Sequence, residues 1–173
     1  MITIIRPGAE INSMGRVLNI AELIPIRESL HEEKKKVVFT NGVFDIIHRG
    51  HIEYLSKAKS LGDILIVGIN TDESVRRIKG NKRPIVGEVD RAFVVANLSP
   101  VDLVCLFDED TPLNLISRIL PDVLVKGADW NVDSIVGKNI VENTGGQVMT
   151  IDFVPDRSTT SIIDKILDRF GSK

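Results

Sequence analysis

The stretch Phe39–His51, FTNGVFDIIHRGH, decides how the rest of the chain is read. It begins inside a short, apolar, β-branched run, KVVFT, which has the character of a buried strand. It then passes through Asn41 and Gly42 and opens a helix over Gly50–Ser60, with Ile52, Leu55, Ala58 and Lys59 at helical spacing. Two of the chain's three histidines, His48 and His51, flank Gly50 at the mouth of that helix. A helix N-terminus presents unpaired N–H groups and partial positive charge, so it is a seat for phosphate. Two imidazoles placed there add N–H donors. Gly50 lets a ligand approach the backbone, having no Cβ.

Working outward, the same strand-then-helix unit repeats. DILIVGI (63–69), VDLVCLF (101–107), DVLVK (122–126) and QVMTIDF (147–153) are further apolar strands. Helices are expected over 71–79, with Thr71 or Asp72 as N-cap, and over 88–98, 112–120, 134–143 and 159–170. Five apolar strands alternating with helices predict a doubly wound α/β fold: a five-stranded parallel sheet covered on both faces, forming one domain over residues 36–173. Ahead of it, residues 1–16 carry Pro7, Gly8 and Gly15 without a period and read as a loosely attached arm. A helix starting near Ile20 or after Pro25 follows, completing an N-terminal arm and helix over 1–35.

Composition sets limits on function. The chain has 173 residues, a formal net charge of -2, 43% hydrophobic and 27% charged residues. That balance argues against nucleic-acid or membrane-surface partners, which call for a basic excess. No apolar run is long enough to span a bilayer, and MITIIRPGAE lacks the order of a secretion signal. The single cysteine, Cys105, permits no disulfide framework and reads as a buried strand residue. A cytoplasmic location is the expectation.

In doubly wound sheets ligands bind beyond the carboxyl ends of the strands. The segments to read together are therefore TNGVFDIIHRGH, NTDES, FDEDT, KGADW and FVPDRSTTS. Arg157–Ser161 (RSTTS) opens the last helix with a cation and a run of hydroxyls, a second anion seat, although a plain N-cap at Ser158 or Thr159 would need only one of them. In the GNKRP loop, Lys79 is better placed than Lys82 to reach phosphate. A zinc pair would explain the His48–His51 spacing, but no third Cys or His lies near. There is no GxxxxGK[ST] loop and no GxGxxG after a strand.

These residues, with LSKAKSLGDILIVGINTDESVRRIKG, NKRPI, DEDTP, ILPDVLVKGADW, ENTGGQV and STTSII in that order, resemble the HxGH nucleotidyltransferase superfamily over 36–167. Within it the match is to heptose 1-phosphate adenylyltransferase domains. The resemblance implies a Rossmann-like fold and a reaction of ATP, with Mg²⁺, on heptose 1-phosphate to give ADP-heptose and pyrophosphate. It implies His48, His51 and Lys79 as phosphate-contacting catalytic residues. It places Thr40, Asn41, Gly42, Phe44, Asp45, Gly50, Gly127, Asp129, Ser158, Thr159 and Thr160 around the nucleotide. Arg91, Trp130 and Arg157 fall towards the acceptor. Relatives often carry a fused sugar kinase, so a separate kinase and a homodimer are the implied partners. The family commonly has KGGD followed by Tyr where this chain has KGADW, and a small or apolar residue where Arg157 stands. Acceptor identity therefore stays open. So do a CTP-dependent cytidylyltransferase acting on glycerol 3-phosphate, a flavin adenylyltransferase and a non-catalytic nucleotide sensor.

Overall fold

The computed structural model describes residues 15–128, 132–152 and 157–171. In chain order the elements are β1 (Arg16–Leu18), α1 (Ile20–Glu32), β2 (Val37–Gly42), α2 (Arg49–Lys59), β3 (Ile64–Asn70), α3 (Asp72–Lys79) and α4 (Glu88–Ala96). They continue with β4 (Leu103–Phe107), α5 (Leu113–Ile119), β5 (Val123–Gly127), a 3-10 turn (Val132–Ser134), α6 (Lys138–Asn143), β6 (Gln147–Ile151) and α7 (Thr159–Phe170). The six strands form one sheet in the order β1-β4-β3-β2-β5-β6, and every pairing is parallel.

The expected α/β architecture is present, with one correction: the sheet has six strands, not five. The extra strand, β1, lies on the edge beside β4, in register Arg16↔Leu103. Three residues are too few to show a period of two, and Val17 is exposed, so no apolar run announced it. Its pairing depends on close backbone approach just ahead of it. A Cβ at Gly15 would stand 2.4 Å from the Ala96 carbonyl oxygen and 2.8 Å from that of Val101.

The helix after β1 starts at Ile20, and Pro25 lies inside it. Its start is set by Asn19, whose Oδ1 accepts from the Glu22 N–H at 3.0 Å while the Glu22 carboxylate accepts from the Asn19 N–H at 2.9 Å, a capping box. Arg27 then reaches from α1 to the end of α5, donating to the Ile119 and Leu120 carbonyls at 3.0 and 2.9 Å. Thr71 caps α3, its side chain accepting from the Ser74 N–H. Cys105 is fully buried in β4.

Strand alternation divides the core between two faces. Val38, Val123 and Val125 pack with Tyr54 and Leu55 of α2, while Phe39 and Leu124 pack on the other face with Leu115, Ile116 and Ile135. The sheet order reverses at β2, which pairs with β3 on one side and β5 on the other. Crossovers leave in opposite directions there, so a crevice opens beyond the ends of β2 and β5.

Candidate active site

A cleft of about 730 Å³ occupies that crevice. One side is built from α2. His48 is the N-cap of α2 and His51 stands one turn in. Their rings stack, with centroids 3.9 Å apart and planes 25° from parallel. Phe44 leans on His51 at 5.3 Å and 51°, holding a positive φ of 49° that few non-glycine residues adopt. Gly50 is where contact is tightest. A Cβ there would lie 3.0 Å from His48 Nδ1 and 3.3 Å from Arg157 Cβ, so the glycine lets α2 and the start of α7 come together.

The start of α7 is tied to the same turn. Ser158 caps it, accepting from the Ser161 N–H at 3.0 Å, and the Thr159 hydroxyl donates to the Ile46 carbonyl at 3.3 Å. Two helix N-termini thus meet at one wall of the cleft, beside Arg157.

Burial governs the imidazoles. It pushes His51 down to about 4, with the neighbouring His48 adding to the effect. His48 is also lowered, by burial and then by Arg157. Both are therefore neutral near pH 7. The Nδ1 of His51 accepts from the His48 backbone N–H at 3.4 Å, which leaves the proton on Nε2 as a donor. Nδ1 of His48 is buried without a hydrogen bond among the described residues, the kind of orphan atom found at ligand sites.

Among the sequence-predicted residues, Asn41, Gly42, Phe44, His48, Gly50, His51, Lys79, Gly127, Arg157, Ser158 and Thr159 line the cleft. Four others lie away from its wall. Thr40 is buried behind it, sharing a 2.7 Å hydrogen bond with the Tyr54 hydroxyl. The Asp45 carboxylate accepts from Arg83 Nε at 2.6 Å, from Ile85 N–H at 2.9 Å and from Val86 N–H at 2.8 Å, clamping the α3–α4 loop. Burial alone would raise the Asp45 pKa, but those donors outweigh it and hold it below the usual range. Arg91 is 1% exposed and donates to the carbonyls of Val43, Asn70 and Val86 and to the Asp72 carboxylate. Thr160 sits in the first turn of α7 but does not border the cleft. Asp129 and Trp130 lie outside the described residues.

The cleft also contains residues that the sequence did not single out. Lys126 on β5 is mostly buried and donates to Asn41 Oδ1. Burial lowers its pKa to about 8. Tyr54, Asn70 and Thr111 join the polar lining, and Ile78, Pro112 and Ile135 supply apolar wall. A lysine closing an otherwise apolar strand, VLVK, was the available signal for Lys126. Among the described residues the one carboxylate on the wall, Asp110, is held by Arg77 at 2.7 Å.

This geometry, with paired imidazoles and two helix N-termini at the switch point of a parallel sheet, defines a nucleotidyltransferase site of the HxGH kind. Residues 39–165 match the model of the cytidylyltransferase-like family, and the chain belongs to that family. It is 49% identical over 177 residues to the bifunctional protein HldE of Geobacter metallireducens, covering 98% of this chain and 36% of that protein. It is 58% identical over 135 residues to HldE of Campylobacter concisus, covering 78% of this chain and 28% of that one. The chain thus spans about a third of the length of the curated relatives it matches. Among solved structures it resembles a lipopolysaccharide core biosynthesis protein from Thermoplasma volcanium (TM-score 0.57, 30% identity, 69% of this chain and 97% of that one). A pantoate-beta-alanine ligase from Francisella tularensis shares the fold, with TM-score 0.58 at 16% identity over 92% of this chain and 80% of that one. Among the described residues, no helix is long and apolar enough to cross a membrane.

Proposed function

We propose that the chain transfers the adenylyl group of ATP to a sugar 1-phosphate, with heptose 1-phosphate as acceptor, releasing pyrophosphate and ADP-heptose. The observation that carries this reading is the convergence of His48, His51, Lys126, Arg157 and the start of α7 on one cleft whose single carboxylate among the described residues is already paired. Such a site has an excess of donors for a polyanion. The order and spacing of NTDES, KGAD and STTS, and the HldE relatives, support the sugar-phosphate branch. The same relatives do not favour a CTP-dependent enzyme acting on glycerol 3-phosphate. A sugar kinase activity supplies the sugar 1-phosphate in this reading, and the enzyme works as a homodimer in the cytoplasm.

The acceptor phosphate is already an anionic nucleophile, so no strong base is needed. One of its oxygens attacks the α-phosphorus, the bond from that phosphorus to the bridging oxygen breaks, and pyrophosphate leaves with the electron pair. The work of the protein is to align two anions and to meet charge growing on the α-phosphate and the leaving group. His51 Nε2–H and the first-turn amides of α2 and α7 meet that charge, and Phe44 keeps the imidazole oriented. Lys79 reaches in from the rim.

The donor set makes no cage for Mg²⁺. Among the described residues no three His, Cys, Asp or Glu side chains gather to hold an ion. Mg²⁺ belongs in this reading with the triphosphate, whose charge it neutralises, and the steps above are assigned to the chain's own residues. Pyrophosphate release that depends on both ATP and heptose 1-phosphate tests the proposal.

A further inference from the structure

Lys126 is a lysine taken mostly out of water with no carboxylate paired to it among the described residues. It donates to a neutral amide oxygen, Asn41 Oδ1. A buried cation left in that state costs stability unless an anion is due to arrive. Its position says which anion. The register Val38↔Val123 and Phe39↔Leu124 carries on to set Asn41 beside Lys126, across the switch point. Strand alternation puts both side chains on the face of Phe39 and Leu124, opposite the face that α2 covers. A Cβ at Gly68 would meet Phe39, Asn41 and Leu115 together, which fixes Asn41 on that same face. The cleft therefore has two halves. The imidazoles and the α2 and α7 N-termini stand on one side of the sheet edge, and Lys126 with Asn41 and Asn70 stands on the other.

An in-line displacement needs this separation. The attacking and leaving oxygens lie on opposite sides of the α-phosphorus, so the two anions require separate counter-charges. The histidines are neutral near pH 7, which among the described residues leaves Lys126 as the buried full charge on its half of the cleft. We propose that Lys126 is the counter-charge for the phosphate of the acceptor, held ready by Asn41, and that the acceptor enters on the Lys126 side of the sheet edge while pyrophosphate leaves on the histidine side. This inference rests on the function proposed above and adds the residue and the side of entry. Among the described residues the charged and titratable groups around Lys126 are few. Beside it on β6 stands Thr150, uncharged; on the 3-10 turn and α6, Asp133 and Lys138 pair with each other at 2.7 Å; on the cleft wall are His48, His51, Tyr54, Lys79, Asp110 and Arg157.

The test is steady-state kinetics of the full chain with Lys126→Met and Lys126→Arg. Removing the charge should raise the KM for heptose 1-phosphate by about 10- to 100-fold, the scale of a charge-assisted contact, and move the KM for ATP less than threefold. Lys126→Arg, which keeps a cation, should recover part of the acceptor KM. In wild type the acceptor KM should climb above pH 8 as Lys126 loses its proton, and in Lys126→Arg that climb should vanish. An unchanged acceptor KM in Lys126→Met, or a larger change in the KM for ATP, overturns the inference while leaving the function standing. If the wild type turns over no sugar phosphate, the function fails separately. Inorganic phosphate titrated calorimetrically into ATP-filled protein then still tests the lysine: binding by wild type and not by Lys126→Met upholds it, and equal binding, or none by either, overturns it.

Discussion

The backbone N–H of His48 donates to Nδ1 of His51 across 3.4 Å, and the two rings stack at 3.9 Å. One residue thus fixes both the tautomer and the plane of the other, and the proton of His51 is left on Nε2. The donor is set by the helix cap itself before any substrate is present.

It follows that His51→Ala removes a positioned donor rather than a binding contact. Turnover should fall by roughly 100-fold or more, the scale of losing one transition-state donor, with the KM for ATP little changed. Stopped or continuous pyrophosphate assays on the folded variant check it. Normal turnover would remove His51 from the mechanism.

Burial of His51 also makes stability depend on pH. Its folded pKa, about 4, lies below the usual 6.5. As pH falls from 6.5 towards 4 the unfolded chain takes up a proton that the folded chain refuses, so stability drops over that window. The group contributes up to about 3 kcal/mol of this loss, from the shift at 1.36 kcal/mol per unit. Urea unfolding of wild type and His51→Asn at pH 7 and pH 4.5 should show a shallower decline in the variant. Parallel declines would mean that His51 titrates normally.

Asp45 and Arg91 lie behind the cleft, and their loss should appear as instability. Asp45→Asn leaves Arg83 and two loop N–H groups competing for one amide oxygen. The cost should be about 2–4 kcal/mol in urea unfolding, as for breaking a buried, hydrogen-bonded ion pair. The lowered pKa of Asp45 gives the matching pH sign: its contribution is present above the usual carboxylate pKa and is lost as pH falls through the lower folded value. An Arg91→Met variant of normal stability with a raised acceptor KM would return Arg91 to the substrate.

Lys126 makes the opposite prediction. Its pKa is lowered to about 8 from 10.5 by burial, so below pH 8 it is charged in both states and its full burial cost applies. Lys126→Met should therefore be more stable than wild type at pH 7, by up to about 3 kcal/mol from the same conversion. The gain should shrink between pH 8 and 10.5, where the folded lysine gives up its proton first. A destabilised variant would show that the lysine is part of the core rather than of the site.

The periods of two and 3.6 made most of the fold legible in the sequence. KVVFT, DILIVGI and VDLVCLF are runs long and apolar enough to be only buried strands. β1 was not legible, because three residues with Val17 exposed carry no period, and its place comes from hydrogen bonding to the edge of β4. At the site, His48, His51, Gly50 and the Ser158 cap were legible because a helix N-terminus has a local signature. That Asp45 and Arg91 lie behind the cleft wall was not legible, because a charged residue in a motif looks the same whether it meets a ligand or a buried carbonyl. Lys126 was missed for the converse reason: its role depends on lying beside Asn41 on a neighbouring strand, 85 positions away in sequence.

The adenylyl transfer to heptose 1-phosphate is best tested by pyrophosphate release from purified protein with Mg²⁺, crossing ATP and CTP against heptose 1-phosphate and glycerol 3-phosphate. Release is expected with ATP and heptose 1-phosphate together, and background with the other three pairs. Release with CTP and glycerol 3-phosphate, or none with any pair from protein that still binds ATP, would contradict it.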